Sequence, residues 1–208
     1  MSTAARKSDL LVLVADHNME AAVRGVLSRP RALGIRSVTA DVRRHPERDS
    51  GCRVHGAAFL SAFRNQYEHA VLMFDREGCG QNAAQAADLE TELEQELTRS
   101  GWGSHAAAIV IEPELDVWVW SDSPHVATEI GWRDRQTGLR AWLQDKGFLL
   151  PGQIKPPRPK EALEAVLREV RRPRSSALYL SIAKKVSLAR CADPAFARLR
   201  TTLQRWFG

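Results

Sequence analysis

The sequence predicts an α/β protein built on a mostly parallel sheet flanked by helices, with a helical C-terminal extension. Three observations lead there. Over residues 1–122, short apolar runs alternate with longer segments of helical spacing, the pattern of βαβ units. Three of those apolar runs end in acidic clusters. Beyond residue 122 no further strong strand pattern occurs, and the remaining segments are helical in spacing and rich in Lys and Arg. The expected division is therefore a core of residues 1–122 and a mainly helical, basic part of residues 123–208 packed on it.

The apolar run Leu10 to Val14 is too short for a membrane span or a signal-peptide core, and Leu10 to Ala15 reads as a buried first strand. Glu20 to Ser28 opens a helix with Ala21, Ala22, Val23, Val26 and Leu27 available to pack. Ile35 to Val42 reads as a second strand, and Arg43 to Arg53 as a charged loop. Gly56 to Tyr67 has helical spacing, and His69 to Phe74 is a clear strand ended by Asp75. Asn82 to Arg99 is helical by composition. Ala106 to Ile111 is the next buried strand and runs into Glu112 to Asp122. Further on, Gln136 to Gln144, Pro159 to Val170, Ser176 to Lys185 and Pro194 to Trp206 read as helices. Pro151 to Lys160, with four prolines, reads as a connector.

A chain of 208 residues buries an ordinary core without a disulfide or metal staple. Cys52, Cys79 and Cys191 show no CxxC spacing, which points to a reducing compartment, the cytoplasm, and away from structural zinc. The six histidines show no HxH or HExxH spacing, and the GCG at 78–80 lacks the lysine of a phosphate loop. The net charge of +5 hides an asymmetry. Residues 151–208 carry 13 Lys or Arg against 4 Asp or Glu, whereas residues 1–150 carry 17 against 21. An acidic front and a basic tail suit a metal centre beside a polyanion-binding surface; the alternative is a solvated basic face. The tail residues best placed for a polyanion are Lys155, Arg158 and Lys160 on the connector, with Arg171, Arg172, Arg174, Lys184 and Lys185 beyond it. Trp118 and Trp120, at alternate positions, are expected to pack core or interface surface.

The acidic clusters are Asp16-His17-Asn18-Met19-Glu20, Asp75-Arg76-Glu77-Gly78 and Glu112-Pro113-Glu114-Leu115-Asp116, each just past an apolar run. Taken singly, each is explained by helix capping, because carboxylates satisfy free N–H groups at helix starts. Together they stand where ligands sit in open α/β sheets, outside the carboxyl ends of the strands. Carboxylates gathered there repel unless a cation compensates, and a purely oxygen ligand set favours Mg²⁺ or Mn²⁺ over zinc.

This order resembles the Toprim fold, a Rossmann-like domain of topoisomerases, primases and overcoming-lysogenization-defect nucleases, and in particular a Toprim-like family of unknown function found in bacterial anti-phage defence regions. That family's motifs read Glu-Gly-x-Thr-Glu, Asp-x-Asp-Gly and Glu-x-Glu-Ala-Trp-Leu-Leu-x-Asp. The counterparts are Asp16 to Glu20, Asp75 to Gly78, and Glu114 to Asp122 with Trp118 at the aromatic position. SIAKKVSLARCADPAFARL resembles the family's closing helical segment. Asp16 stands in place of Glu, His17 in place of Gly, and Glu77 in place of the second Asp. The resemblance implies phosphodiester cleavage with Mg²⁺ or Mn²⁺: one metal on Asp75 and Glu77 at the scissile phosphate, another near Asp16 and Glu20 lowering the pKa of a water, and Glu114 or Asp116 completing the shell or acting as base. It implies nucleic acid and other defence-system proteins as partners, self-association into a homo-oligomer, and no membrane. The alternative is a catalytically degenerate Toprim-like subunit that binds partner proteins or nucleic acid.

Overall fold

The computed structural model describes residues 7–81, 83–133 and 135–208. The sheet has four parallel strands in the order β2-β1-β3-β4, with β1 Ser8–Val14, β2 Ala40–Arg44, β3 Tyr67–Asp75 and β4 Ala106–Ile111. Leu10 lies opposite Ala40 on one side and His69 on the other, and Asp75 lies opposite Ile111. From β1 the chain steps outward to β2, then crosses back over β1 to β3 and continues to β4. Right-handed crossovers in opposite directions place the connecting helices on opposite faces, the doubly wound arrangement of Rossmann-like sheets. Helix α1 (His17–Leu27) and the short α2 (Pro30–Leu33) join β1 to β2. Helix α3 (Arg48–Ser61) packs on β1 and β3, and α4 (Ala86–Arg99) packs on β4. The expected start of α4 at Asn82 lies outside the described residues.

Leu10 to Val14, Ala70 to Phe74 and Ala107 to Ile111 are buried on both faces, which is why these strands read as unbroken apolar runs. Helices approach closely where glycine allows it. A Cβ on Gly56 of α3 would stand 2.7 Å from Leu72 Cδ1 of β3.

The second strand departs from expectation. Within β2 only Val42 is buried, and residues 35–39 form an irregular segment in which Arg36 N–H donates to Phe207 O at 2.9 Å. Ile35 is buried although it lies outside β2, and its N–H donates to Pro30 O at 3.0 Å. The expected loop Arg43 to Arg53 is instead the end of β2, a turn and the first turns of α3. That helix opens with exposed or half-buried polar residues, so apolar spacing marks it only later.

The C-terminal part contains α5 (His125–Ile130), α6 (Leu139–Asp145), α7 (Pro159–Glu169), α8 (Ser176–Lys185) and α9 (Pro194–Phe207). Helix α5, only six residues long, falls in a stretch the sequence pattern left unassigned. α8 packs on α1, α9 on β4, and α7 against the 3-10 turn Leu115–Trp118. Gly25 permits the first contact, since a Cβ there would come within 2.6 Å of Ala183 Cβ. Two indoles fasten this layer: Trp118 Nε1–H donates to Asp193 Oδ1 and Trp120 Nε1–H to Pro159 O, both at 2.9 Å. One buried apolar cluster extends from Leu10 to Phe207, so the helical part shares the core of the sheet.

The outer edge of β4 is closed by side chains. Ala108 N–H donates to Glu94 Oε1 at 3.3 Å and Val110 N–H to Glu90 Oε1 at 3.0 Å, while Arg198 Nε of α9 donates to Ala108 O at 3.1 Å. These contacts satisfy groups that an open edge would offer to another strand. Among the described residues no helix is long and apolar enough to cross a membrane.

Candidate functional site at the switch point of the sheet

The sheet's winding reverses between β1 and β3, and the crevice outside their carboxyl ends is the ligand position of doubly wound folds. Asp16 follows β1 and caps α1, its Oδ1 accepting from Met19 N–H at 2.8 Å. Asp75 is the last residue of β3, and its Oδ1 accepts from Leu115 N–H at 2.9 Å. The N–H of Asp75 donates to Asp49 Oδ1 at 2.8 Å, which ties β3 to the first turn of α3. Glu114 and Asp116 belong to the turn after β4 and are both buried. The segments after all four strands thus bring carboxylates to one end of the sheet.

Burial, together with the negative charges of Asp49, Asp16, Asp116 and Glu114, holds the half-buried Asp75 carboxyl well above the usual carboxylate range. Burial likewise raises Asp49, with Asp16 adding to the shift and the hydrogen bond from Asp75 N–H opposing it. Glu114 is raised by burial and by Asp116, against the pull of Lys160, whose Nζ is 3.6 Å from Glu114 Oε2. Cys52 lies in the same field. Burial and the charges of Asp49 and Asp75 push its thiol far up, so it supplies no thiolate nucleophile.

Asp116, 1% exposed, is compensated from within the chain. Arg174 Nη2 donates to its Oδ2 at 2.7 Å, and the Tyr179 hydroxyl donates to its Oδ1 at 2.6 Å. Arg174 also donates through Nε to the Tyr179 oxygen at 2.6 Å. A residue that the sequence groups with the basic tail therefore reaches the acidic centre as a counter-charge.

The other sequence-nominated residues separate. Glu20 faces cations of α1 and β2, with Arg24 at 3.0 Å and Arg44 at 2.9 Å. Glu77 is exposed on the turn that Gly78 closes with a φ of +92°, and borders a groove of about 280 Å³ with Glu114 and Lys160. The second motif thus sends Asp75 inward and Glu77 toward the connector. Of the basic set, Lys155 pairs with Asp193 at 3.6 Å, Arg158 with Glu161 at 3.0 Å, Lys160 with Glu114, and Lys185 with Glu129 at 2.8 Å. Arg172 donates to Glu129 O at 2.7 Å. Arg171 and Lys184 are exposed, without an ion pair among the described residues. Asp49 escaped the sequence reading because an edge strand with a single buried residue gives no apolar run to mark the carboxyl end that Asp49 follows.

Among the described residues, no three His, Cys, Asp or Glu side chains are placed to hold a metal ion by themselves. The residues fit a Mg²⁺ or Mn²⁺ site of another kind, since Mg²⁺ is usually held by one or two carboxylates with water and substrate phosphate completing its shell. Asp75 meets that requirement: it retains some exposure, and among the described residues no cation pairs with it. Glu20 and Asp116 fit less well, because each already has cationic partners. No protein-family model, curated protein or solved structure matches this chain.

Proposed function

We propose that this chain cleaves phosphodiester bonds of nucleic acid with Mg²⁺ or Mn²⁺ at the Asp16–Asp75 end of the sheet, as a cytoplasmic component of a bacterial anti-phage defence system with a Toprim-like core. The observation that carries this reading is Asp75. A carboxylate at the switch point, acted on by four further carboxylates and, among the described residues, by no pairing cation, is costly to ionise unless a cation arrives with the ligand. When bound, a divalent cation polarises a phosphate and lowers the pKa of a water.

The chain's own residues prepare the site. Leu115 N–H fixes one oxygen of Asp75, and Asp49 fixes its backbone; the remaining Asp75 oxygen and Asp16 are the residues that would hold the cation. Glu114, raised by burial and by Asp116, is the group suited to carry a proton during cleavage. The resemblance of the Asp75 turn and the Glu114 to Asp122 segment to Toprim-like motifs supports the same chemistry.

A second reading, a degenerate Toprim-like subunit that binds partner proteins or nucleic acid, draws on the Arg174–Asp116 pair and the engagement of Glu20 by arginines. Calorimetric titration with Mg²⁺ and Mn²⁺, together with incubation on DNA and RNA, separates the two. Cation binding and cleavage that disappear in Asp75→Ala support the first. Protein that binds neither cation, cleaves nothing and co-purifies with a partner supports the second.

A further inference from the structure

Beside Asp16, between the end of β2 and the start of α3, the surface forms a cleft of about 780 Å³. That size lies within the range of nucleotide and other small-ligand sites. Among the described residues its lining includes Arg43, Arg44, Arg48 and Arg174 against two carboxylates, Asp16 and Glu20. Arg44 is engaged by Glu20 and Arg174 by Asp116. Arg43 and Arg48 are both exposed and make no ion pair among the described residues; the Arg43 guanidinium lies 4.6 Å from the Phe63 ring centre and donates to the Tyr67 oxygen, contacts with neutral groups that leave its charge uncompensated.

Arg48 has a φ of +53°, in a region that residues with a side chain seldom occupy. The turn that holds it there directs Asp49 onto Asp75 and sets Arg48 at the cleft. Strain at an exposed position whose guanidinium makes no ion pair among the described residues, its nearest charge influence being on Asp49, is the kind of feature that functional sites retain. Phe59, half-buried in the same wall, offers an apolar face of the type on which bases stack.

We infer that this cleft binds the phosphate of a nucleotide, with Arg43 and Arg48 as its anion contacts and the phosphate lying beside Asp16. The planar guanidinium fork suits a phosphate better than an ammonium does. The assignment rests on the reading of the acidic centre given above, whose substrate it names. It also moves the nucleic-acid contact away from the C-terminal basic set, most of which already has partners within the chain.

The test is fluorescence anisotropy of a labelled short oligonucleotide in EDTA, with mononucleotide and inorganic phosphate as competitors. Wild type is expected to bind more weakly as salt rises. Arg43→Ala with Arg48→Ala should weaken binding about tenfold or more and reduce the salt slope by about two, one for each lost phosphate contact. Lys184→Ala with Lys185→Ala should change neither. Competition by mononucleotide at equal phosphate concentration identifies a free nucleotide as the ligand, and its failure identifies a strand. Arg48→Gly serves as a folding control, because glycine accepts the positive φ. It should melt no lower than wild type and still bind more weakly. Absence of binding by wild type, full binding by the arginine variants, or an equal loss in the lysine variant overturns the inference. Because EDTA removes divalent cations, a failure of the cleavage reading leaves this outcome readable by itself.

Discussion

Replacing Arg174 by alanine removes the one cation that pairs with Asp116 among the described residues. Asp116 is 1% exposed and would retain only the Tyr179 hydroxyl among its present side-chain donors. Breaking a buried ion pair from one side costs about 3–5 kcal/mol, because the surviving charge is left without compensation. The Arg174 side chain is 28% exposed, which places the expected loss near the lower end, about 3 kcal/mol. With a urea slope of about 2 kcal/mol per molar, the unfolding midpoint should fall by about 1.5 M. The melting temperature should drop by roughly 6–12 °C for a chain of this size. Urea unfolding followed by far-UV circular dichroism gives the number. Asp116→Asn in the Arg174→Ala background removes the stranded charge and should recover much of the loss, with a coupling of about 2 kcal/mol or more across the double-mutant cycle. An Arg174→Ala midpoint within about 0.5 M of wild type, or no recovery in the double variant, refutes the account of Arg174 as the counter-charge of the acidic centre.

Asp75→Asn tests the hub of the same cluster. A carboxyl whose folded pKa exceeds its unfolded value contributes stability that is complete below the ordinary value of 3.8 and lost as pH rises through the raised value. Wild type without divalent cation should therefore lose stability between acidic and neutral pH along a steeper slope than Asp75→Asn, which keeps the contributions of Asp49 and Glu114, as measured by urea midpoints at several pH values. On the cleavage reading the same substitution lowers the rate about 10²-fold or more, seen in single-turnover assays with Mn²⁺. Gly25→Ala forces a methyl within 2.6 Å of Ala183 on α8, and the overpacking, partly offset by better helix propensity, should destabilise by about 1–2 kcal/mol in thermal unfolding. Glu94→Ala with Arg198→Ala frees the N–H and C=O of Ala108 on the β4 edge and should produce concentration-dependent association in sedimentation velocity beyond any that wild type shows.

The strands buried on both faces were legible because burial on two sides leaves a continuous apolar run. Ala106 to Ile111 is found at its expected limits, and Ser176 to Lys185 likewise among the helices. β2 was not legible in that way. An edge strand with Val42 as its one buried residue carries little pattern, so neither its extent nor the start of α3 shows in the sequence. The same lack of pattern conceals Asp49, which belongs to the first turn of α3 and not to a charged loop. Trp118 and Trp120 were rightly expected to pack, but their hydrogen bonds to Asp193 and Pro159 O depend on where α9 and α7 dock.

For the site, the sequence by itself determined that acidic residues follow β1, β3 and β4, because the chain must turn where each buried run ends. Which carboxylates act on one another was decided only by the tertiary structure. The winding order puts β1 beside β3, the strained turn at Arg48 brings Asp49 to Asp75, and the docking of α8 on α1 accompanies the placing of Arg174 and Tyr179 on Asp116. Local pattern records burial residue by residue, whereas the partner of a charge 58 positions away along the chain is set by packing between layers that no local pattern encodes.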